Sequence, residues 1–301
     1  MKHKHSNAAV NSSMIRRPIR RWFPLFMGPM VCAFIIGFVY PFCKGIYLSF
    51  CKFKVTSDAH FVGLENYRRA FQDASFVHSF WFTALFAVIS LVLINVLAFA
   101  VAYALTQGIK GSNLYRTVFF MPNLIGGIVL GYVWKFVFNR AFVAIAEAAT
   151  QSDHASLLST PNGAMFCLIL VSVWQYAGYM MLIYVAGFMS VDQSLKEAAM
   201  IDGCNKGKAM WHVVIPLMRA SFVQCIFLST TRCFMVYDLN LSLTKGEPFN
   251  QSVLAAMHVY NQAFVYKNYG TGQAEALVLF IVCAVIGMLQ VYFGKKGEVA
   301  A

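Results

Sequence analysis

The chain has 301 residues, of which 59% are hydrophobic and only 12% are charged, and its mean hydropathy is +0.62. Soluble domains carry about 25% charged residues, so a chain with half that share is expected to lie largely in a membrane. A net charge of +12 would suggest a nucleic-acid partner in a soluble protein, but in a membrane protein basic loops set the orientation instead. We therefore expect a polytopic protein surrounded by lipid, with no nucleic-acid partner.

Six apolar segments are long enough to cross a bilayer, which takes about 20 residues in a helix. The predicted spans are residues 25–49, 80–106, about 116–138, 163–189, 217–243 and 273–293. The third of them is interrupted by Pro122 and Gly126-Gly127, which could let it bend or could serve close helix packing. The first span follows a basic segment and lacks a small-residue cleavage site, so we expect it to be retained rather than removed as a signal peptide. These spans predict an all-α polytopic membrane protein.

The predicted spans divide the chain into regions. These are a basic N-terminal segment (1–24), the first span (25–49), an extracytoplasmic segment (50–79), a core with five spans (80–293) and a tail (294–301). Of the 24 lysines and arginines, fourteen fall on the side of the N-terminus, nine fall on the other side and Arg232 lies within a span. Basic loops favour the cytoplasm, so we expect both termini and the loop 190–216 to be cytoplasmic.

The eight cysteines are scattered, and no two form a Cys-x-x-Cys pair. Most fall inside apolar segments, where a thiol behaves as a small hydrophobic group. The histidines, including His212 and His258, also lack the spacing of metal ligands. The sequence therefore predicts no disulfide framework, no metal site and no catalytic site.

The loop 190–216 is a short polar stretch between two long apolar segments. Ser190 and Gln193 match the capping box of a helix, with Asp192 in the first turn. Gly203 is well placed to end that helix in a left-handed cap, and a second helix is expected from Lys206. The pattern predicts a rigid helical knob, although a helix lying on the membrane surface is the alternative that it leaves open.

The same loop carries a recognisable motif. Glu197-Ala198-Ala199, three residues, Gly203, nine residues and then Val213-x-Ile215-Pro216 resembles the signature of permease subunits of binding-protein-dependent ABC importers. Val213 and Ile215 stand where the consensus has Ile and Leu, and the spacing agrees at every step. The agreement identifies a resemblance to that family.

Two further segments are similar to the sugar-type branch of the family, over about residues 61–293. One is 61–67, Phe-Val-Gly-Leu-Glu-Asn-Tyr, and the other is 238–248, Asp-Leu-Asn-Leu-Ser-Leu-Thr-Lys-Gly-Glu-Pro. Glu247 departs from the branch, which has glycine there, a residue that allows a positive φ. Asp202 before Gly203 also fits the Asp-Gly of that branch.

The resemblance implies a type I importer fold in the cell membrane and a set of partners. A second, similar permease would complete the pathway, two cytoplasmic ATPases would bind ATP and Mg, and a solute-binding protein would deliver a sugar. This chain has no Gly-x-x-x-x-Gly-Lys-Ser/Thr loop, so it is expected to be a non-catalytic subunit without a cofactor of its own. The residues implied in ATPase coupling are Glu197, Ala198, Ala199, Asp202, Gly203 and Pro216.

Polar residues within the spans are candidates for the translocation pathway, because ionisable groups in a bilayer are costly and are commonly functional. Arg232 lies near the centre of the fifth predicted span, and Asp238 would lie about 120° from it on the same helix. A sugar pathway also needs hydrogen-bonding groups and aromatic faces. The candidates are Asn123, Trp174, Gln175, Tyr176, Arg232, Tyr237, Asp238 and Asn240.

The alternatives for these positions are structural. Arg232 is equally consistent with an ion pair between subunits, and each aromatic residue with packing or anchoring at the interface. Glu275, at the start of the sixth span, is expected to be solvated.

Other functions remain open at this point. A permease of the same family could carry a polyol or a glycerol-phosphate ester. A stand-alone secondary transporter would predict an internal inverted repeat and paired intramembrane carboxylates, and neither is visible. A membrane enzyme would need a cluster of acid, base or metal-binding residues.

Overall fold

The computed structural model describes residues 25, 27–55, 57–150 and 156–296. The predicted basic segment 1–24 and the end of the tail, 297–301, lie outside the described residues. Within the described ranges the regular structure is helical apart from one small antiparallel pair of strands, β1 (Cys51–Lys52) and β2 (His60–Phe61). The fold is therefore the polytopic helical one that the composition predicts.

The helices follow in chain order. They are α1 (Met27–Ser49), α2 (Glu65–Gln72), α3 (Ala74–Thr106), α4 (Ser112–Phe120), α5 (Gly127–Phe136), α6 (Phe142–Thr150), α7 (Pro161–Ser190), α8 (Gln193–Ile201), α9 (Lys206–Ala209), α10 (Ile215–Leu217), α11 (Arg219–Phe234), α12 (Asp238–Leu243), α13 (Ala255–Tyr260) and α14 (Tyr269–Lys295). Single π-helical turns join α5 to α6 and α9 to α10, and a third follows α13.

Five of the described helices are long and apolar enough to cross a membrane. They span Met27–Ser49, Ala74–Thr106, Gly127–Ile145, Pro161–Ser190 and Tyr269–Gly294. A sixth crossing is formed if Lys206–Leu217 and Arg219–Phe234, which meet at a bend of 69°, count as one span. The number of predicted spans is thus confirmed with that bent pair as the fifth.

The third predicted span, 116–138, is wrong in its bounds because the helix breaks near Pro122. α4 ends at Phe120 and a 3₁₀ turn covers Met121–Leu124, after which Gly126 is extended (φ −61°, ψ 140°). Proline has no backbone N–H to continue a helix. The membrane-crossing helix therefore starts only at Gly127.

The fifth predicted span, 217–243, is also divided. α11 ends at Phe234, the backbone at Tyr237 leaves the helical region (φ −121°, ψ −58°), and α12 begins at Asp238. α3, in contrast, starts six residues before the predicted Phe80, because Asp73 accepts a hydrogen bond from the Ser75 N–H (2.8 Å) and caps the helix.

α7 is the central helix of the bundle. More than half of its most apolar stretch is buried inside the chain, against 28% or less for the other spans, which turn most of their apolar surface outward. Gly178 allows the end of α4 to lie directly on α7, because a Cβ at this position would overlap the carbonyl oxygen of Phe119. Close approach at a small residue is typical of helix packing in membranes.

A buried hydrogen-bond network ties α7 to α3 and α11. The Tyr184 hydroxyl donates to Asn95 Oδ1 (2.8 Å), and Asn95 Nδ2 donates to Ser229 Oγ (2.9 Å). Each of the three residues comes from a different helix. Because no water is present at this depth to replace a lost partner, the network fixes the relative positions of the three helices.

Two polar positions differ from the sequence-based expectation. Glu275 is fully buried beside His258 rather than solvated, because α2 and α13 cover the start of α14. Glu247 does not need the conformational freedom of glycine, since the positive φ angles around it are at Lys245 (55°), Gly246 (87°), Phe249 (53°) and Asn250 (59°).

The network predicts that Tyr184→Phe destabilises the protein. Removing the hydroxyl leaves Asn95 Oδ1 without its donor, and an interhelical hydrogen bond in a membrane contributes about 1 kcal/mol. We expect a lower midpoint of thermal unfolding for the purified protein in detergent. The matched control is Tyr132→Phe, at an exposed tyrosine of α5. Equal midpoints for the two variants would contradict a structural role for the network.

Candidate functional site

The loop between α7 and α11 forms a helical hairpin, residues 192–217. Its first helix, α8, is capped by Asp192, whose carboxylate accepts a hydrogen bond from the Ser194 N–H (2.9 Å). The hydrogen bonds from Ser194 lower the pKa of the Asp192 carboxyl group below its usual value. The expected Ser190 cap is wrong, because Ser190 is still part of α7 and its hydroxyl donates to the Gly187 carbonyl (2.7 Å).

Gly203 ends α8 as predicted, in a left-handed conformation with φ +85°. The N–H of Cys204 donates to the Ala199 carbonyl (2.9 Å), and the N–H of Gly203 donates to the Met200 carbonyl (3.1 Å). This pair of bonds is the Schellman motif, which satisfies carbonyls that the end of a helix leaves open. The turn of the hairpin therefore has a fixed geometry that depends on a glycine.

The second arm of the hairpin returns directly to the bundle. Asn205 caps it by accepting a hydrogen bond from the Lys208 N–H (2.8 Å), and helical backbone continues to Leu217. Pro216 lies in the last turn of this arm, two residues before the buried Met218, where the chain bends into α11. The hairpin is thus joined to α7 at one end and to α11 at the other through very short connections.

The tip of the hairpin is exposed and partly apolar. Glu197, Ala198, Asp202 and Gly203 are exposed, and so are two large apolar side chains of the hairpin, Ile201 (86% exposed) near the turn and Trp211 (71%) in the second arm. Exposed apolar groups of this size, rimmed by charged residues, are typical of a contact surface.

Ala199 lies on the other face of α8. It is only 8% exposed, so it is packed inside the hairpin rather than presented to a partner. Ala198 and Ala199 are about 100° apart on the helix, which explains why only one of them faces outward. Ile201 and Trp211 were not predicted as contact residues, because an apolar residue in a membrane protein is not in itself a signal of contact.

A second cluster of predicted residues surrounds Arg232 in α11. Arg232 Nη1 donates to Asn123 Oδ1 (2.8 Å), and its guanidinium lies over the rings of Tyr176 (5.1 Å) and Tyr179 (4.9 Å). In the described part of the chain, no carboxylate lies within 4 Å of Arg232. The cation is therefore held by an amide and two aromatic faces, and all four residues are partly exposed.

Trp174 does not join this cluster. It is two residues from Tyr176, which corresponds to about 200° around a helix, and its ring instead packs edge-on against Trp134 (5.5 Å). Tyr179, which was not predicted, is three residues from Tyr176 and shares its face. Residues three apart on a helix are neighbours, so the spacing from Tyr176 would have predicted Tyr179.

Gln175 supports the broken third span. Its side chain is buried, and Nε2 donates to the carbonyl of Ile125 (3.1 Å), in the extended stretch between the 3₁₀ turn and α5. Backbone groups released by a break in a membrane helix need such a partner. Its location favours a structural role over contact with a solute.

Asn240 is enclosed by the chain and does not line an open pathway in this structure. Its Nδ2 donates to Thr244 Oγ1 and to the Ser252 carbonyl, both at 2.8 Å, while its Oδ1 accepts from the Leu254 N–H (2.9 Å). It is completely buried. Through its hydrogen bonds to Ser252 and Leu254, the Asn240 side chain holds the loop after α12 against that helix.

Tyr237 and Asp238 lie at the break between α11 and α12, so the 120° separation expected on one helix does not apply. Asp238 is exposed, and the Tyr237 ring packs at a tilt of 41° against Tyr260 (4.9 Å between centroids), which in turn packs at 38° against Phe264 (4.9 Å). A row of aromatic faces thus starts near the arginine cluster and runs along the segment after α13.

Residues 105–297 match the family model described as the binding-protein-dependent transport system inner membrane component. The chain is also 38% identical to the probable starch degradation products transport system permease protein AmyD of Thermoanaerobacterium thermosulfurigenes, over 92% of this chain and 95% of that protein. The chain belongs to this family of transport permeases. The resemblance drawn from the motif in residues 197–216 is confirmed, and the protein is a multi-pass component of the inner membrane.

Other relatives of this permease are similar over nearly their full length. It is 31% identical to the multiple sugar-binding transport system permease protein MsmF of Streptococcus mutans, over 88% of this chain and 92% of that protein. It is 27% identical to the sn-glycerol-3-phosphate transport system permease protein UgpA of Agrobacterium fabrum, over 90% of this chain and 94% of that protein.

A solved structure shares the fold of the permease. It is a chain of the crystal structure of a bacterial ABC transporter involved in the import of the acidic polysaccharide alginate. The TM-score is 0.80 at 16% identity, over 94% of this chain and 99% of that chain. The permease therefore has the type I importer fold, and its family favours an importer subunit over a stand-alone secondary transporter.

Gly203 provides a test of the hairpin geometry. In Gly203→Ala the left-handed conformation costs about 1–2 kcal/mol. This cost raises roughly tenfold the fraction of molecules in which the backbone hydrogen bonds of the hairpin are broken. We expect faster hydrogen exchange of the amides of residues 193–214, with a smaller effect in Gly203→Asn because asparagine tolerates this conformation. The control is Gly207→Ala, where an added Cβ meets only Asn205 Oδ1 at 3.6 Å. Equal exchange in Gly203→Ala and Gly207→Ala would contradict this account of the turn.

Proposed function

We propose that this permease is one of two membrane subunits of an ATP-driven importer for a sugar or oligosaccharide. In this proposal a solute-binding protein delivers the sugar from outside, and a second, similar permease completes the pathway. Two cytoplasmic ATPases bind ATP and Mg and dock on the hairpin, while this chain itself carries out no catalysis. The hairpin and both termini then lie on the cytoplasmic side, as the distribution of basic residues favours.

The observation that carries the proposal is the way in which the hairpin continues into α7 and α11. Both arms are helical, and the turn is fixed by Gly203. Only two residues connect α7 to the hairpin, and only one connects the hairpin to α11; Val191 and Met218, in these connections, are buried. A displacement of the hairpin is therefore transmitted to the two helices that carry Tyr176, Tyr179 and Arg232. Coupling by rigid movement of one packed element is a common device of switching proteins.

The surface of the hairpin supports docking on a protein. Ala198 and Gly203 permit close approach, Glu197 and Asp202 offer charge-assisted hydrogen bonds, and Ile201 supplies apolar area. A helix lying on a membrane surface would favour lysine on one face and bulky aromatic residues on the other. α8 contains one lysine and no aromatic residue.

The arginine cluster supports a sugar as the solute. Asn123 and Arg232 supply hydrogen-bonding groups, and the faces of Tyr176 and Tyr179 supply flat apolar surfaces. Two relatives, AmyD and MsmF, are named for starch degradation products and multiple sugars. A glycerol-phosphate ester is the second candidate, since UgpA is named for sn-glycerol-3-phosphate and Arg232 lacks a carboxylate partner in the described residues.

Crosslinking tests docking on the ATPase. Cys204, at the turn, is first replaced by serine to remove the native thiol of the hairpin. Ala198→Cys in that background is then expected to crosslink to the ATPase subunit in the assembled transporter. Ala199→Cys is the matched control and is expected to react at least about tenfold more slowly, because its side chain is buried. If Ala198→Cys gives no ATPase adduct in any nucleotide state, the docking proposal is wrong.

Uptake by variants of Arg232 tests the pathway. We expect Arg232→Leu to lower sugar uptake at least about tenfold in vesicles, a loss equivalent to about 1.4 kcal/mol, with the assembled complex intact. Arg232→Lys should retain part of the activity, because it keeps the charge but loses the planar fork. The control is Arg68→Leu, at an exposed arginine of α2. Unchanged sugar uptake in Arg232→Leu would remove this residue from the pathway, and selective loss of phosphate-ester uptake would favour the second candidate.

A further inference from the structure

Three ionisable side chains from distant parts of the chain meet at the end of the bundle opposite the hairpin. Asp73 caps the start of α3, His258 is in α13 and Glu275 is near the start of α14. α3 has 33 residues and is therefore about 50 Å long, and its other end, Thr106, lines the same cavity as Lys196 of the hairpin. The three residues thus lie at the opposite face of the membrane from the proposed ATPase contact.

The distances within this cluster are too long for direct hydrogen bonds but short enough to surround an ion. His258 Nε2 is 3.6 Å from Asp73 Oδ2 and 3.7 Å from Glu275 Oε2, and one ligand atom from each residue lies within 4.8 Å of the others. Ligands of a tetrahedral zinc ion, bound at about 2.1 Å, are about 3.4 Å apart, so small side-chain movements would complete the coordination.

The buried groups of the cluster have no hydrogen-bonding partner. Glu275 is completely buried with both carboxylate oxygens unpaired, and His258 is 6% exposed with Nε2 unpaired. A buried carboxylate without a donor is costly, and two carboxylates around one imidazole repel each other. A divalent cation at the centre would supply the missing partner to His258 and Glu275 and would also lie beside Asp73 Oδ2.

The surroundings are suitable for a metal ion. Asp73 Oδ1 is held by the Ser75 N–H (2.8 Å), which orients the carboxylate so that Oδ2 faces His258. The His258 ring packs against Phe76 (5.7 Å between centroids), which limits its rotation. Fixed orientation by such outer contacts is common at metal sites. A cavity of about 490 Å³, lined by Asp73 and His258 among others, provides access from one side.

We propose that Asp73, His258 and Glu275 form a binding site for one divalent transition-metal ion of the zinc class. One imidazole nitrogen and two carboxylate oxygens are ligands that zinc accepts, and the fourth position would face the cavity. The ion would join α3, α13 and α14, in addition to the hydrogen bond from the Ala255 N–H to Thr83 Oγ1 (2.7 Å) that already joins α13 to α3. The residues lie at positions 73, 258 and 275, so spacing in the sequence could not reveal the site.

Metal content of the purified transporter tests the site. The complex, prepared without a polyhistidine tag, is stripped with a chelator, dialysed against ZnCl₂ and analysed for bound zinc. We expect one more zinc ion per permease in the wild type than in Glu275→Gln or His258→Gln, and at least about 100-fold weaker binding in those variants. The control is His60→Gln, which removes a histidine that pairs with Asp58 at an exposed site on the loop 51–61. His3 and His5 contribute equally to all variants.

Cobalt provides a second measurement that does not depend on how the variants fold. Co²⁺ bound to the stripped wild-type complex should give the visible absorption of a low-coordinate nitrogen and oxygen site, and stoichiometric Zn²⁺ should abolish it. The proposal is overturned if the wild type binds no more zinc than Glu275→Gln, or if zinc binding in His60→Gln falls as far as in His258→Gln. Either result would leave the cluster as a histidine–carboxylate ion pair without metal.

Discussion

The hydrogen bonds that Asn95 makes with Tyr184 and Ser229 are the interaction on which the bundle depends. They lie deep in the apolar part of three spans, where the hydrophobic effect does not hold helices together because lipid is as apolar as the side chains. Packing and polar contacts must do so instead. Since α7 contributes Tyr184 and α11 contributes Ser229, these two helices are joined to each other through α3 at mid-membrane.

Because of this connection, a movement of the hairpin acts on α7 and α11 together. From Met218 at its base, α11 runs 14 residues to Arg232, a rise of about 20 Å, with Ser229 one turn before the end of that path. α7 has its own polar contact, Tyr184, between the hairpin and Tyr176. A displacement of the hairpin therefore moves α7 and α11 together, because these two helices are held to each other by hydrogen bonds. The arginine cluster bridges the same pair, because Tyr176 and Tyr179 come from α7 and Arg232 comes from α11.

The features that the sequence could predict are local in the chain. The motif in 197–216 predicted a helix, a glycine turn and a return helix, because a left-handed cap and its flanking helices are encoded within a dozen residues. The long apolar spans were predictable for the same reason. Tyr179 was also within reach, since it lies three residues from Tyr176. The interruption of the third span was also visible in the sequence, at Pro122 and Gly126-Gly127, although it divides the helix rather than bending it. In contrast, the break near Tyr237 divides a span whose composition is continuous.

Features that depend on distant contacts were not predictable in this way. The capping role of Asp192 rather than Ser190 depends on how far α7 continues, and near its end α7 packs closely against Met218 and Ser221 at Gly187. The burial of Glu275 depends on α13, and the enclosure of Asn240 depends on a loop that folds back over α12. At Glu275 and Asn240 a polar residue was expected to contact solvent or the pathway, and in both positions the buried group faces another segment of the same chain.

Arg232 shows why the kind of partner matters as much as burial. A carboxylate beside it would neutralise the guanidinium and use its hydrogen-bonding fork, leaving little for a passing solute. An amide oxygen and two aromatic faces reduce the cost of holding the cation in the membrane, at about 0.5–2 kcal/mol for each aromatic contact, without removing its charge. Arg232 uses one N–H on Asn123, and a guanidinium has five, so donors remain for hydroxyl or anionic oxygens. A cation stabilised in this way is suited to bind a solute weakly and to release it, which a transport pathway requires and a structural ion pair does not.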